Sequence, residues 1–440
     1  MRILLIGNGA REHSIFNALK RSKHNPEIVV FGKAKNPGML DSQYEIGDIE
    51  NMDEIRAIGK KYEPDFAFVG PDNPIGLGAA DVLEEAGVPS VAPKKVAAQL
   101  ECSKSFARDL LDKYDIEGNP QYRVFTSTEG IREYIEELGG DYVVKFDGLL
   151  GGKGVKVSGD HLDTIEDGLQ FAYECLETSG KVTVEEKLVG PEFSLMSFAD
   201  GETTVEMPAV QDHKRAYDGD TGPNTGGMGS YSDADHSLPF LEDQDIKDAA
   251  EMTKKVMHAV KEETGVDFKG IMYGGFMKTK NGVRLIEYNT RFGDPEAMNV
   301  LPLLETDFVD LCLGIINQDL KNTDISFKKM STVCLYVVPE GYPGNVTEDP
   351  EERVIRVSKQ ELDAEIFYSS VDLVEETGAE FILRMSSSRA LAFTGIAPTI
   401  QEALGKAKEG LDAVEGKVRY RTDIGTPELI QQRIDLINSF

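Results

Sequence analysis

The chain has 440 residues, with 77 acidic and 47 basic side chains and a formal net charge of −30. A surface that negative repels nucleic-acid phosphates and anionic membranes, which argues against both as main partners; it still admits anionic small molecules where a few cations gather in one cleft. Four cysteines (Cys102, Cys175, Cys312, Cys334) lie far apart with no CxxC spacing, and six histidines form no HxxxH or HExxH pair, so reduced core thiols are expected and a histidine-bound zinc site is not.

At about 150 residues per domain the length suggests roughly three domains. The start, MRILLIGNGAREH, turns polar too soon for a signal peptide, and no apolar run approaches the ~18 residues of a membrane span. A cytoplasmic protein is expected. In the first hundred residues, strands at Ile3–Ile6, Ile28–Phe31 and Phe66–Val69 alternate with helices at Arg11–Arg21, Met52–Tyr62 and Ala79–Ala86. This alternation predicts a parallel sheet covered on both faces. From Ser103 the pattern changes. A helix (Ser103–Lys113), a strand (Tyr122–Phe125), a helix (Thr128–Leu138) and a strand (Tyr142–Phe146) lead into the loop Asp147–Gly154. A helix at Thr164–Thr178 and strands at Val182–Glu186 and Phe193–Phe198 complete a small α+β unit. The segment Gln211–Ser230 shows no periodicity; long irregular loops of this kind are usually functional or disordered. Glu242–Glu263 predicts a long helix, and Ile271–Lys278 with Val283–Asn289 a hairpin around Asn281-Gly282. From about Ser326 the chain reads as a separate α+β domain.

Three segments carry chemistry. Gly7-Asn-Gly9-Ala-Arg-Glu12 stands where a dinucleotide fingerprint would, but Glu12 replaces its third glycine and no acidic residue ends the second strand. A nicotinamide cofactor is therefore disfavoured, while backbone N–H groups remain free to meet a phosphate. The loop Asp147–Gly154 holds four glycines and Lys153 between two strands, not the strand-to-helix setting of a P-loop. It reads either as a flap whose N–H groups close over phosphates, with Lys145 facing the same space, or as a plain hairpin with a solvated lysine. Glu287 and Asn289 share one face of a strand. A carboxylate and an amide oxygen there suit Mg²⁺ completed by substrate phosphates, or else form the polar face of an edge strand. Arg291, Asp294 and Glu296 crowd the turn that follows.

Together IGNGAREH, VGPDNP, CSKSFARDLL, VVKFDGLLGGKGV, VEEKLVGPEFS, QDHKR, DTGPNTGGMGSYS and IEYNTRFGDPE resemble the ATP-grasp ligases, and among them the glycinamide ribonucleotide synthetase family, along almost the whole chain. The resemblance implies a multidomain α/β and α+β fold: a parallel-sheet N-terminal domain (1–102), an ATP-grasp region (103–325) with a mobile lid at about 120–190, and a small C-terminal α+β domain (326–440). It implies ATP as co-substrate, Mg²⁺ or Mn²⁺, and the ligation of glycine to 5-phosphoribosylamine through glycyl phosphate. No nucleic-acid or membrane partner is implied, and the chain would be a monomer or weak homodimer.

Residue by residue, Lys104 and Lys145 would meet the ATP phosphates beneath a flap carrying Gly151, Gly152 and Lys153. Glu185, Glu186 and Leu188 would form the adenine hinge, and Glu192 would hold the ribose. Glu287 and Asn289 would bind metal. Arg291, Lys214, Asp212 and Asp294 would be catalytic, and Gly9, Arg11, Asp72, Asn224, Gly226, Gly227 and Arg389 would contact substrates. Four departures from the family pattern stand out. The strand Met272–Met277 has no acidic residue, Lys187 takes an often aromatic hinge place, Asp72 replaces the usual glutamate, and Ser386-Ser-Ser-Arg389 replaces a glycine-rich turn. A different ATP-grasp ligase would lack DTGPNTGGMG, and a non-catalytic nucleotide-binding regulator would lose Glu287, Asn289 or Arg291. All are present here.

Overall fold

The apolar run Arg2–Ile6 is flanked in parallel by Glu27–Gly32 and Phe66–Val69. Burial on both faces explains why these strands read as continuous apolar runs rather than alternating ones. In the computed structural model, which describes residues 1–150 and 154–440, they belong to a five-stranded parallel sheet. Its outer strands are Gln43–Ile46 and Ser90–Val91, which sequence patterning does not mark. Leaving the first strand, the chain turns at Gly7 (φ +116°), where a Cβ would lie 2.6 Å from Glu12 Cγ. Glu12 thus fills the space between the sheet and the helix Ala10–Lys20, and its carboxylate accepts the Gly9 N–H at 2.8 Å. That filled space accounts for the missing third glycine.

Tyr122–Phe125, Val182–Glu186, Tyr142–Phe146 and Val155–Val157 form, in that order, a four-stranded antiparallel sheet. The helices Ile131–Glu137 and Ile165–Ser179 cover it over a core that includes Tyr134, Val144, Leu169 and Val184. The strand expected to complete this unit does not belong to it. Glu192–Ala199 instead pairs with Gly270–Thr279 in a second antiparallel sheet, which continues to Gly282–Asn289. Apolar alternation shows that a strand is buried but not which sheet buries it.

The C-terminal region is likewise less separate than its sequence suggests. Its main sheet begins with Gln211–Asp212 and Gly229–Ser232, from the segment read as irregular, and continues through Ser331–Pro339, Leu391–Ala397 and Ala364–Tyr368. Strands of two and four residues between glycine turns are too short to show a period. One core runs from Leu110, Met252 and Met272 into Val333 and Phe393, and another joins Ile15 and Phe68 to Phe198 and Phe292. The three regions meet at the end of the strand Gly282–Asn289. Among the described residues no helix is long and apolar enough to cross a membrane.

Candidate active site

Ser103 caps the helix Lys104–Lys113 by accepting the Phe106 N–H, so Lys104 opens the helix. Its ammonium donates to Glu287 Oε2 at 2.8 Å. One turn later Arg108, which sequence reasoning passed over, grips Glu185 with two hydrogen bonds of 2.7 and 2.9 Å. Lys145 reaches the same carboxylate and the Ile286 carbonyl, both at 2.8 Å. Burial lowers the Lys145 ammonium to about 8, against the opposing pull of Glu185. Glu185 therefore spends its side chain on two buried cations and its backbone on the four-stranded antiparallel sheet, opposite Tyr122 and Val143.

The next residue, Glu186, accepts the Gln121 N–H at 2.8 Å through its carboxylate. Lys187 turns back to donate to the Ser158 carbonyl at 2.7 Å, which ties it to the residue after the strand Val155–Val157. Leu188 follows in the connection, and Glu192 is exposed at the start of its strand. Gly151, Gly152 and Lys153 lie outside the described residues. Asp147, just before them, accepts from the Ser105 N–H at 2.9 Å and from the Ser103 and Ser105 hydroxyls.

Asp212 and Lys214 flank His213 and point toward the carboxylates. Burial and the neighbouring Glu296 raise the Asp212 carboxyl well above the usual range. Burial opposes the charge on Lys214, but Glu192, Glu287, Asp212 and Glu296 outweigh it and raise the ammonium above its ordinary value. Burial likewise opposes the Glu287 carboxylate, and Lys104 and Lys214 overcome it to hold the group far below the usual range. Glu296, on the charged turn, accepts the Tyr273 hydroxyl at 2.8 Å. This hydroxyl occupies the strand where no acidic residue was found.

Arg291 lies 3.3 Å from Asn289 Oδ1 and pairs with Glu101 at 3.1 Å. Burial disfavours its charge, but Glu101 and Asp72 more than offset that. Asp72 is itself held below the carboxylate range: burial opposes, and Arg291 and Arg11 prevail. Arg11 donates to the Phe292 carbonyl at 3.2 Å, which brings the N-terminal turn to the same place. The Gly9 N–H is already taken by Glu12.

The loop through Gly226 and Gly227 is held from behind. Arg389 Nη1 donates to the carbonyls of Gly226 (2.7 Å), Gly227 (3.0 Å) and Asp294 (3.1 Å), and its guanidinium lies over the Tyr336 ring. Tyr336 in turn donates to Asp294 at 2.6 Å. Arg389 and Asp294 thus hold the loops together. Gly227 (φ +112°) has to be glycine, since a Cβ there would sit 2.6 Å from both Asp212 Oδ1 and Pro295. Asn224 is exposed on the hairpin formed by Arg215–Tyr217 and Thr221–Asn224. At its tip Asp220 pairs with Arg433 and with the fully buried Arg421 (2.8 Å), and Asp423 holds Arg421 bidentately. His213 faces this clamp; its ring nitrogens have no partner among the described residues, and burial lowers it to about 4.

These positions fall within three consecutive family matches. The phosphoribosylglycinamide synthetase N domain matches residues 1–101, its ATP-grasp (A) domain residues 102–297 and its C domain residues 332–427. The chain belongs to the phosphoribosylglycinamide synthetase family. It is 46% identical over 437 residues to the phosphoribosylamine–glycine ligase of Methanosarcina barkeri, covering 99% of this chain and 98% of that one. Identity to the enzyme of that name from Methanococcus vannielii is 47% over 444 residues, with 99% of both chains covered. The crystal structure of phosphoribosylamine–glycine ligase from Thermotoga maritima superposes with a TM-score of 0.78 at 29% identity, covering 96% of this chain and 100% of that one.

Membership of the synthetase family accounts for the pairing of an ATP-grasp site with the N-terminal turn. The other acidic grouping, His24 with Asp307 and Asp310, is on the surface and already engaged. Asp310 pairs with Lys23 and Asp307 caps the helix Phe308–Asn317.

Proposed function

We propose that this chain ligates glycine to 5-phosphoribosylamine with ATP, forming glycinamide ribonucleotide, ADP and phosphate by way of glycyl phosphate. One observation carries the reading. In a chain of net charge −30, the buried cations Lys104, Lys214 and Lys145 gather around Glu287 and Arg291 reaches Asn289, so one cleft concentrates positive charge where an anionic ligand can bind.

Lys104 and Lys145 bind phosphate oxygens, and Glu186 and Leu188 offer backbone groups to adenine while Glu192 takes the ribose hydroxyls. A glycine carboxylate does not acylate an amine, because oxide is a poor leaving group. Transfer of the γ-phosphoryl to it makes phosphate the leaving group. Lys214 and Arg291 hold the transferring phosphoryl and the acyl phosphate, spreading its charge over fixed cations. Glu287 and Asn289 supply one carboxylate and one amide oxygen, a hard donor pair that fits Mg²⁺ or Mn²⁺ and leaves the other positions to phosphate and water. Such an ion, when bound, would supply positive charge that neutralises phosphate oxygens. Asp212, protonated more readily than an ordinary carboxyl, is suited to take the proton released when the amine attacks. The N-terminal turn with Arg11 and Asp72 presents that amine.

The test uses glycine labelled with heavy oxygen in its carboxylate. One label is to appear in the released phosphate, since that oxygen bridges to phosphorus in glycyl phosphate. Label in AMP, or none in phosphate while amide forms, overturns the mechanism.

A further inference from the structure

Glu101 lies in the last turn of the helix Lys95–Cys102, with a side chain only 2% exposed. A carboxylate there loses its hydration and faces the negative end of the helix dipole, so both burial and position count against it. Its oxygens are nevertheless fully used. Oε2 accepts the Thr290 N–H at 2.7 Å and the Thr290 hydroxyl at 2.9 Å, while Oε1 pairs with Arg291 Nη2 at 3.1 Å. Thr290 and Arg291 directly follow Asn289, and the same Nη2 also lies 3.3 Å from Asn289 Oδ1. The Arg291 Nε is buried without a partner among the described residues, and Asp72 is a second anion acting on this guanidinium.

We propose that Glu101 is a positioning residue for the ligation. It anchors the strand end through Thr290 and, through Arg291, aims the guanidinium at the acyl phosphate instead of letting it swing to Asp72. The inference rests on the reading of Arg291 given above.

Glu101→Gln keeps the size and one acceptor for Thr290, but presents an amide NH₂ to a guanidinium donor. The expected result is a fall in kcat on the order of 10- to 100-fold, the worth of one charged hydrogen bond, with KM for ATP little changed. In an Arg291→Met background, Glu101→Gln is to lower kcat no further, because the two act as one unit. Glu101→Asp, which keeps the charge, is to recover part of the lost kcat; this comparison decides the matter if Glu101→Gln folds poorly. Wild-type kcat in Glu101→Gln, an additive loss in the double variant, or no advantage of Asp over Gln overturns the inference while leaving Arg291 in place. Wild-type kcat in Arg291→Met alone removes the reading of the site, and this inference with it.

Discussion

Replacing Glu185 by glutamine removes the carboxylate that Arg108 and Lys145 share at 2.7–2.9 Å, where all three side chains are at most 5% exposed. Breaking a buried pair by deleting one partner costs about 3–5 kcal/mol, because the stranded cations keep their desolvation and lose their counterion. At roughly 2–4 °C per kcal/mol this lowers Tm by about 6–20 °C. A second effect separates the site from mere stability. Burial already brings Lys145 down to about 8, and Glu185 is what resists it. An opposite charge in contact is worth roughly one to three pH units, so without it the lysine gives up its proton near neutrality. The variant is to bind Mg·ATP nearly normally only at about pH 5, where Lys145 is again largely charged, and roughly 10- to 100-fold more weakly at about pH 8. The wild type, half charged at the higher pH, changes only about twofold over this range. Calorimetric titration of an ATP analogue at the two pH values, with a thermal melt, makes the check. An unchanged Tm, or wild-type pH dependence of binding, refutes the reasoning.

Glu287→Gln is to lose turnover by roughly 100-fold or more while keeping the wild-type circular dichroism spectrum, since it removes the carboxylate proposed to hold the metal and unpairs Lys104; near-normal turnover at ordinary Mg²⁺ would sink the metal assignment. His13 is buried, accepts the Tyr368 N–H at 3.1 Å and is lowered by burial to about 3. Its folded value lies below the unfolded one, so its stabilisation is present above about pH 6.5 and is lost as pH falls toward about 3, by up to several kcal/mol. Urea unfolding at several pH values in this window, for wild type and His13→Phe, is to show the slope in the wild type and its loss in the variant.

How much was legible depended on whether the signal was local. Met52–Tyr62 was readable to the residue because its apolar period lies in one stretch. The Asn281-Gly282 turn fixed its hairpin for the same reason. Glu192–Ala199 was legible as a strand but not as a member of the central sheet, since pairing partners are chosen in three dimensions. Glu287 and Asn289 were legible together because residues two apart on a strand share a face. Glu101 and Arg421 were not. Each is a charged residue buried against a distant partner, 189 positions away for Glu101 and 201 for Arg421, and no apolar period announces that it will be buried. Arg108 left a usable trace: it follows Lys104 by four residues and so shares its helix face.

The clamp on the hairpin tip has a consequence for how the site is built in time. Asp220 precedes Arg421 by 201 residues, which at roughly 5–20 residues per second means about 10–40 s of synthesis. Throughout that interval the hairpin carrying one wall of the ligand site is already made, while the guanidinium groups that fix it have not yet emerged. Asp220 then carries unpaired acidic charge, and the four-stranded antiparallel sheet and the parallel sheet can fold before the clamp closes. Catalytic competence therefore arrives late and all at once, when Arg421 and Arg433 come off the ribosome and lock a loop made two hundred residues earlier.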